Sequence, residues 1–262
     1  MLHLVERRQH LKRNLRTRQK VFSGWISFYH PSIAEIFSKS TMDFVGIDAE
    51  HSTISLEQSM QIIAACQGNG SLCLPRIGSL DVEIVKRFLD SGADGLIIPS
   101  VASREEIEQV VSWSKYSPVG NRSFGVARAQ GYGFNFSDYV EQWNETSVLI
   151  AQIETIKGVE NLEKILSCEQ VDAVMIGPYD LSGSLGIPGE LDHPKVKEAE
   201  RYIIEICKKF ERGCGIQVVE STSNTVQEAF SKGFTFVVLS SDLFLLWKWS
   251  ENTKKMIHSL RH

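Results

Sequence analysis

The 262-residue sequence has no closely spaced or evenly numbered set of cysteines. Its cysteines are scattered, and there are five: Cys66, Cys73, Cys168, Cys207 and Cys214. Disulfide frameworks and structural zinc sites both need cysteines at short, regular spacings, usually in even number. The sequence therefore argues against either kind of site, and a reducing cytoplasm is the expected compartment.

The sequence also lacks an excess of basic charge and a long apolar run. The formal net charge is −4, so the overall charge indicates neither a nucleic-acid nor a membrane partner. The most apolar stretch, 234–249, contains Ser240, Ser241 and Asp242 and falls short of the ~20 apolar residues that a membrane span needs. Residues 1–20 are basic and have no apolar signal-peptide core. For this leader, a solvated helix before the first strand is favoured over a transit peptide or an RNA-binding arm.

Apolar segments rich in β-branched residues alternate with helical patterns along almost the whole chain. Strands are predicted at 21–28, 44–48, 72–77, 95–99, 148–154, 173–177, 215–219 and 236–239. Helices are predicted at 33–38, 56–67, 81–91, 104–114, 158–167, 195–212, 223–231 and 243–260. Eight strand–helix units predict one α/β domain over 1–262, a (β/α)8 TIM barrel. A doubly wound sheet is disfavoured because no Gly-x-Gly-x-x-Gly opens a helix after the first strand.

One connection is unusually long. Residues 101–146 contain a single predicted helix, followed by a segment rich in glycine, serine and aromatic residues, 118–138. Loops of this length inside compact domains are usually functional, so we expect this segment to take part in function.

Polar residues follow four of the predicted strands, in the segments 47–52, 75–76, 151–155 and 176–182. In (β/α)8 barrels the catalytic residues lie at the carboxyl ends of the strands. The four segments are therefore expected to meet at one mouth, and their convergence is stronger evidence for a site than any one of them.

Glu154 and Asp180 are carboxylates at the ends of neighbouring predicted strands. Two hard oxygen ligands, with room for water and substrate oxygens, suit Mg²⁺ or a similar divalent ion. The alternative is that each carboxylate caps the helix that follows it.

His51 lies three residues after Asp48. A carboxylate bonded to one imidazole nitrogen fixes the tautomer and raises the basicity of the other nitrogen, as a general base requires. The alternative is a structural histidine on a loop.

Arg76 stands at the end of an apolar strand, where a buried guanidinium needs a partner. A bound carboxylate or enolate is one such partner. A buried salt bridge to Asp48 or Glu50 is the other.

The segment 177–182 is predicted to be a turn that opens into a helix. The backbone N–H groups of Gly177, Tyr179 and Asp180 can hold a substrate carboxylate there, whereas Pro178 has no N–H. Lysine, in contrast, ends none of the predicted strands, and the nearest is Lys157. A Schiff-base mechanism needs a desolvated amine in the mouth, so the sequence argues against one.

These strand-end motifs resemble those of one enzyme family, the class II 2-keto-acid (pyruvate) aldolases of the HpcH/HpaI family. They are Ile47-Asp48-Ala49-Glu50-His51, Pro75-Arg76, Gln152-Ile153-Glu154-Thr155 and the segment 177–186. The similarity runs in order from about Asn14 to Trp247. It implies a lyase that reversibly cleaves a 4-hydroxy-2-keto acid to pyruvate, or a close relative, and an aldehyde. The implied cofactor is a divalent metal ion: Mg²⁺, Mn²⁺ or Co²⁺.

The resemblance also implies roles for individual residues. Glu154 and Asp180 would bind the metal, with Gln152 beside it. His51 paired with Asp48 would be the acid–base, and Arg76 would stabilise the enolate. Arg122, in the segment 120–125, would approach the aldehyde-side acid. Family members form hexamers, or trimers of dimers, often with the C-terminal helix exchanged between subunits.

Two other functions stay open at this stage. One is a lyase for a CoA thioester of the malyl-CoA or citryl-CoA type, which would need a basic pocket for the CoA phosphates. The sequence shows no such cluster outside the leader and Lys208–Lys209. The other is a non-catalytic barrel that serves as a binding protein, in which erosion of the catalytic set would be expected.

Overall fold

The computed structural model describes residues 2–261 of the chain, in which strands and helices alternate. The strands are β1 Val21–Ile26, β2 Phe44–Asp48, β3 Leu72–Arg76, β4 Gly95–Ile98, β5 Val148–Ile153, β6 Ala173–Ile176, β7 Gly213–Val218 and β8 Phe236–Leu239. The first six helices are α1 Leu2–Arg16, α2 Pro31–Ser38, α3 Leu56–Gly68, α4 Val82–Asp90, α5 Arg104–Ser114 and α6 Phe136–Thr146. The others are α7 Ile156–Glu160, α8 Leu162–Leu166, α9 Pro178–Ser184, α10 Pro194–Lys209, α11 Ser223–Lys232 and α12 Asp242–Arg261. A 3₁₀ helix, Arg128–Gly133, lies between α5 and α6.

The eight strands form one closed parallel barrel. Each strand pairs with the next along the chain, and β8 pairs with β1. The predicted (β/α)8 fold is thereby confirmed, with all eight predicted strands present. Strand residues are mostly buried because helices cover the outside of the barrel while side chains fill its interior. This explains why the strand segments read as nearly continuous apolar runs.

The interior of the barrel is layered from an apolar end to a polar end. Val21, Phe44 and Phe236 pack together near the amino-terminal ends of their strands. One layer higher, Gly46 makes room for Trp25, because a Cβ atom at Gly46 would collide with the indole ring. The layers above carry polar side chains at the carboxyl ends of the strands, and these form the mouth.

The basic leader forms α1 and closes the amino-terminal end of the barrel. Leu11 and Leu15 on this helix are 1% exposed and pack against the barrel interior. Arg8, Lys12 and Arg16 lie on one face, four residues apart. The expectation of a solvated leader was wrong in this respect, because Arg8 and Lys12 are buried.

Two fully buried carboxylates explain how the leader can bury cations. The Arg8 guanidinium lies 3.1 Å from Asp94, and Lys12 and Arg16 lie 3.3 and 2.6 Å from Asp172. Asp94 and Asp172 directly precede β4 and β6. Helix α1 is therefore tied to the barrel floor by buried ion pairs as well as by leucines.

The long connection contains more regular structure than predicted. The 3₁₀ helix and α6 occupy much of 128–146, and α6 packs on α5 through a hydrogen bond of 2.7 Å from Trp143 Nε1 to the Ser114 carbonyl. The helix predicted at 158–167 is divided at Asn161 into α7 and α8. The part of the connection that follows α5 lies at the amino-terminal end of the barrel, because it joins the end of α5 to the start of β5.

Helix α12 is anchored at its first residue and is otherwise largely exposed. Asp242 accepts hydrogen bonds of 2.8 and 2.9 Å from the N–H groups of Ser27 and Phe28, which follow β1. Beyond this anchor the helix exposes many large apolar side chains: Leu243, Leu245, Leu246, Trp247, Trp249, Met256, Ile257 and Leu260. Among residues 2–261, no helix is both long enough and apolar enough to cross a membrane.

Candidate active site at the carboxyl ends of the strands

Three inward-facing residues on neighbouring strands form the base of the mouth. Strand register places Asp48 of β2 opposite Arg76 of β3. Arg76 Nη2 donates to both oxygens of the Asp48 carboxylate, at 2.8 and 2.9 Å. The Arg76 guanidinium also lies 5.2 Å above the Trp25 ring, a cation–π distance. Arg76 is thus fixed from two sides.

Arg76 also reaches two further polar groups. Its Nε lies 3.2 Å from Glu50 Oε2, and its Nη1 donates to Gln152 Oε1 at 3.4 Å. The Nε and Oε2 atoms are close enough for charge attraction but not aligned for a hydrogen bond, so both are buried without a hydrogen-bond partner. The salt bridge considered for Arg76 is present, and it involves both Asp48 and Glu50.

The two carboxylates beside Arg76 differ in electrostatics. Burial raises the pKa of Asp48, but the Arg76 charge and the hydrogen bond from the His51 backbone N–H outweigh it, so the net pKa is lowered. For Glu50, burial is again the largest influence, and repulsion from Glu154 adds to it against the attraction of Arg76, so the pKa is raised. Asp48 is therefore firmly ionised, whereas Glu50 holds its charge less readily.

His51 does not form the expected imidazole pair with Asp48. Its backbone N–H donates to Asp48 Oδ1 at 2.9 Å, while its imidazole Nε2 lies 3.7 Å from Glu50 Oε2. Both carboxylate oxygens of Asp48 already accept hydrogen bonds from Arg76, so the imidazole lies beside Glu50, the preceding residue, instead. The His51 side chain is 64% exposed, so it stands at the rim of the mouth.

Glu154 is held from both sides in the buried part of the mouth. Its Oε1 accepts hydrogen bonds from the N–H and the hydroxyl of Ser100, at 2.7 and 2.6 Å. Its Oε2 accepts a hydrogen bond from Gln152 Nε2. A Cβ atom at Gly177 would collide with both Glu154 and Gln152, so this position in the 177–182 turn requires glycine. Glu154 is 3% exposed.

Asp180 lies in the first turn of α9 and is exposed. Neither Asp180 nor Glu154 caps a helix, because α7 is capped by Thr155 and α9 follows Gly177 without a side-chain cap. The Gly177 N–H is already donated to the Ile153 carbonyl at 3.2 Å. The predicted carboxylate-binding role is therefore left to Tyr179 and Asp180, since the first N–H groups of a helix lack intrahelical partners.

The mouth has the charge and donor chemistry that a hard divalent cation needs. Two carboxylates, Asp48 and Glu50, pair with one guanidinium, Arg76. Glu154 lies close enough to Glu50 to raise its pKa, and Glu50 Oε2 is a buried oxygen without a hydrogen-bond partner. Fully ionised, the four groups carry a formal charge of −2. No group of three or more His, Cys, Asp and Glu side chains within 2–261 is close enough to hold a metal ion unaided. Mg²⁺ commonly binds through one or two carboxylates and completes its shell with water and substrate oxygens, and the donor set fits that mode.

The structure places Arg122 away from this mouth. Its Nη2 lies 2.7 Å from Asp90 at the end of α4, and its Nη1 donates to the Tyr139 hydroxyl at 3.1 Å. The guanidinium is buried against the rings of Tyr116 and Trp143, at 4.8 and 4.9 Å. Within this chain Arg122 does not reach the mouth, because the segment that follows α5 packs at the opposite end of the barrel.

Sequence reasoning missed one residue of the mouth and recognised another only in part. Ser100 is the missed residue, and it follows β4, a strand end that carries no charged residue. Glu50 is expected only as a possible salt-bridge partner of Arg76, whereas the structure shows that it also faces Glu154. Both residues lie within two positions of the end of a predicted strand, and that position alone indicates a place at the mouth.

The chain matches known proteins over nearly its whole length. The family model described as HpcH/HpaI aldolase/citrate lyase matches residues 22–248. A 2-keto-3-deoxy-L-rhamnonate aldolase from Salmonella typhi is 32% identical over 252 residues, which is 95% of this chain and 93% of that protein. A 5-keto-4-deoxy-D-glucarate aldolase from Escherichia coli is 32% identical over 234 residues, 88% of this chain and 90% of that protein. The crystal structure of an HpcH/HpaI aldolase from Desulfitobacterium hafniense superposes with a TM-score of 0.85 at 29% identity, covering 94% of this chain and 96% of that one.

Proposed function

Because this chain belongs to the HpcH/HpaI aldolase/citrate lyase family, we propose that it is a divalent-metal-dependent aldolase. Its substrate would be a 4-hydroxy-2-keto acid, which it would cleave reversibly to pyruvate, or a close relative, and an aldehyde. The observation that carries this proposal is the connected array of Asp48, Arg76, Gln152 and Glu154 at one mouth. Relatives at 32% identity named as aldolases support it.

Glu154 and Asp180 would hold the metal ion, with water and substrate oxygens as the remaining ligands. When bound, a divalent cation of this kind supplies Lewis-acid polarisation of a carbonyl oxygen. The unneutralised negative charge of the mouth favours such an ion over a neutral ligand. The ion expected is Mg²⁺, Mn²⁺ or Co²⁺, in keeping with an all-oxygen donor set.

Arg76 would stabilise the negative charge that develops on the 2-keto oxygen. Its position is fixed before substrate arrives, by Asp48 and by the Trp25 ring. A preorganised donor of this kind is worth most where charge appears only in the transition state, and its loss typically costs ~10²–10³ in turnover. The N–H groups of Tyr179 and Asp180 would bind the substrate carboxylate.

His51 would exchange the proton of the substrate 4-hydroxyl. In the cleavage direction the imidazole accepts that proton, the electrons of the O–H bond form the aldehyde C=O bond, and the C3–C4 bond breaks. The electron pair of that bond forms the C2=C3 double bond while the carbonyl electrons move to the 2-keto oxygen, giving the enolate of pyruvate. The enolate then takes a proton from water at C3, and the His51 imidazolium gives its proton back to water. Glu50, 3.7 Å from the imidazole, takes the orienting role first expected of Asp48.

The exposed apolar face of α12 would be covered by another copy of the chain. Exchange of this helix within a hexamer, or a trimer of dimers, accounts for a 20-residue helix whose buried residue is Asp242. Light scattering at micromolar concentration tests this, because a stable monomer would contradict it. All five thiols are free and buried, as suits the cytoplasmic location that we propose.

The decisive experiment follows proton exchange at the methyl group of pyruvate. Wild-type protein with Mn²⁺ in D₂O is expected to exchange these protons, read by NMR after the Mn²⁺ is removed, and chelation is expected to stop the exchange. Turnover of a panel of aldehydes with pyruvate, with product masses, would then identify the acceptor. Exchange that survives exhaustive chelation would remove the metal from the proposal, and a wild-type protein with no exchange would remove the aldolase.

A further inference from the structure

Ser100 has an unusual backbone conformation at the edge of the mouth. Its φ angle is +51°, in the left-handed region that non-glycine residues seldom adopt because Cβ then crowds the carbonyl oxygen. Serine has no advantage over glycine in that region. A conformation of this kind persists where the surroundings impose it, and such residues cluster at functional sites.

The conformation aims two donors of Ser100 at one atom. The backbone N–H lies 2.7 Å and the hydroxyl 2.6 Å from Glu154 Oε1. A hydrogen bond from the N–H alone would be available to glycine at the same φ angle. The hydroxyl is thus the contribution that glycine cannot make.

The hydrogen bonds determine which lone pairs of Glu154 are free. An ionised carboxylate offers about four lone-pair sites, two on each oxygen. The two donors of Ser100 occupy those of Oε1, and Gln152 Nε2 occupies one on Oε2. A single lone pair, on Oε2, is left for another partner.

We propose that Ser100 is a positioning residue that fixes the Glu154 carboxylate so that it binds a divalent cation through Oε2 alone. The proposal rests on the proposed function, in which Glu154 is a metal ligand. A single-oxygen ligand occupies one coordination position where a bidentate one would occupy two. The position so spared is available to a substrate oxygen.

The test compares Mn²⁺ binding, by titration calorimetry, in wild type, Ser100→Ala and Ser100→Gly. Both variants lose the hydroxyl, and loss of a group that orients a metal ligand typically weakens metal affinity ~10–100-fold. The two variants differ in backbone strain, which glycine relieves and alanine keeps. Ser100→Gly is therefore expected to have a higher melting temperature than Ser100→Ala. Equal losses of affinity at unequal stability identify positioning, because a purely structural role would make affinity follow stability.

The matched control is Ser79→Ala, another exposed serine in a loop at the mouth end of the barrel. Within the described part of the chain its hydroxyl makes no hydrogen bond, so Mn²⁺ affinity is expected to stay within about twofold of wild type. A crystal structure of the Mn²⁺-loaded wild type supplies the second readout, with Oε2 expected as the single Glu154 ligand atom.

The outcomes separate this proposal from the proposed function. If wild type binds Mn²⁺ and exchanges pyruvate protons but both Ser100 variants bind as tightly, the positioning role is wrong and the aldolase stands. Bidentate coordination by Glu154 in wild type would also overturn it. A wild-type protein that binds no divalent cation would overturn both.

Discussion

Replacement of Arg76 by methionine would remove the cation that pairs with the Asp48 and Glu50 carboxylates of the mouth. The formal charge of Asp48, Glu50 and Glu154 with Arg76 would change from −2 to −3, while the Asp48 carboxylate stays buried. Removing one partner of a buried ion pair costs ~3–5 kcal/mol of stability because the other charge is left uncompensated. Arg76→Met is therefore expected to lower the free energy of unfolding by about that amount at pH 7.5, and turnover by ~10²–10³.

The stability difference between wild type and Arg76→Met is expected to depend on pH. In wild type the pKa of Asp48 is lowered, so the stability that this carboxylate contributes is present above its unfolded pKa and is lost as the pH falls through the folded pKa. In Arg76→Met the burial remains and the opposing charge is gone, so the pKa of Asp48 is expected to rise. The variant should then recover stability relative to wild type as the pH is lowered from 7.5 to 5, measured by urea unfolding.

A double variant separates stability from chemistry. Arg76→Met with Asp48→Asn removes the stranded charge, so most of the lost stability should return while turnover and pyruvate proton exchange stay low. Arg87→Met is the control, since this exposed arginine pairs with Glu83 at 3.4 Å on the surface and is expected to matter by less than ~1 kcal/mol. A double variant no more stable than Arg76→Met, or an Arg76→Met protein with normal proton exchange, would refute the reasoning.

Three further outcomes can be measured on the same preparations. His51→Asn should lower turnover ~10²–10⁴-fold with an unchanged melting temperature, because the side chain is largely exposed; a matching loss of stability would contradict a rim position. Lys115 is buried, and burial, with repulsion from Lys12, lowers its pKa to about 7. The unfolded chain therefore binds a proton there that the folded chain does not, between about pH 7 and its unfolded pKa of 10.5. Wild-type stability should rise over that range, and Lys115→Met should flatten the rise seen in urea titrations at pH 7 and 9. Leu15→Ala should cost ~2–5 kcal/mol by leaving a cavity in the barrel floor, with catalytic constants unchanged; altered kinetics would show that the floor and the mouth are coupled.

The strands and the mouth were predictable because their signals are local. A strand buried on both faces must be apolar throughout, so each of the eight could be recognised from its own residues. A polar group directly after such a strand must then lie at the mouth, which placed Asp48, Arg76 and Glu154 correctly at one end of the barrel.

The predictions that the structure does not match depended on contacts between segments that are distant in sequence. The Asp48–His51 spacing of three residues is compatible with a side-chain pair, but Arg76, 28 residues further on, takes both oxygens of Asp48. Arg122 could not be placed because the path of the long connection depends on how α6 packs on α5. A solvated leader is expected from its charge alone. The carboxylates of Asp94 and Asp172 that pair with its cations lie far along the chain, so their contact with the leader cannot be recognised from the sequence.

The ion pairs beneath the barrel have a practical consequence for anyone altering this protein. A shortened version beginning at the first strand would leave Asp94 and Asp172 without their cations and the Leu72 and Val148 side chains without a cover. Such a truncation should misfold or aggregate although every group proposed to do chemistry is retained. Conversely, heat resistance can be sought by redesigning that floor, at the far end from the reacting groups, with little expected effect on what the enzyme turns over.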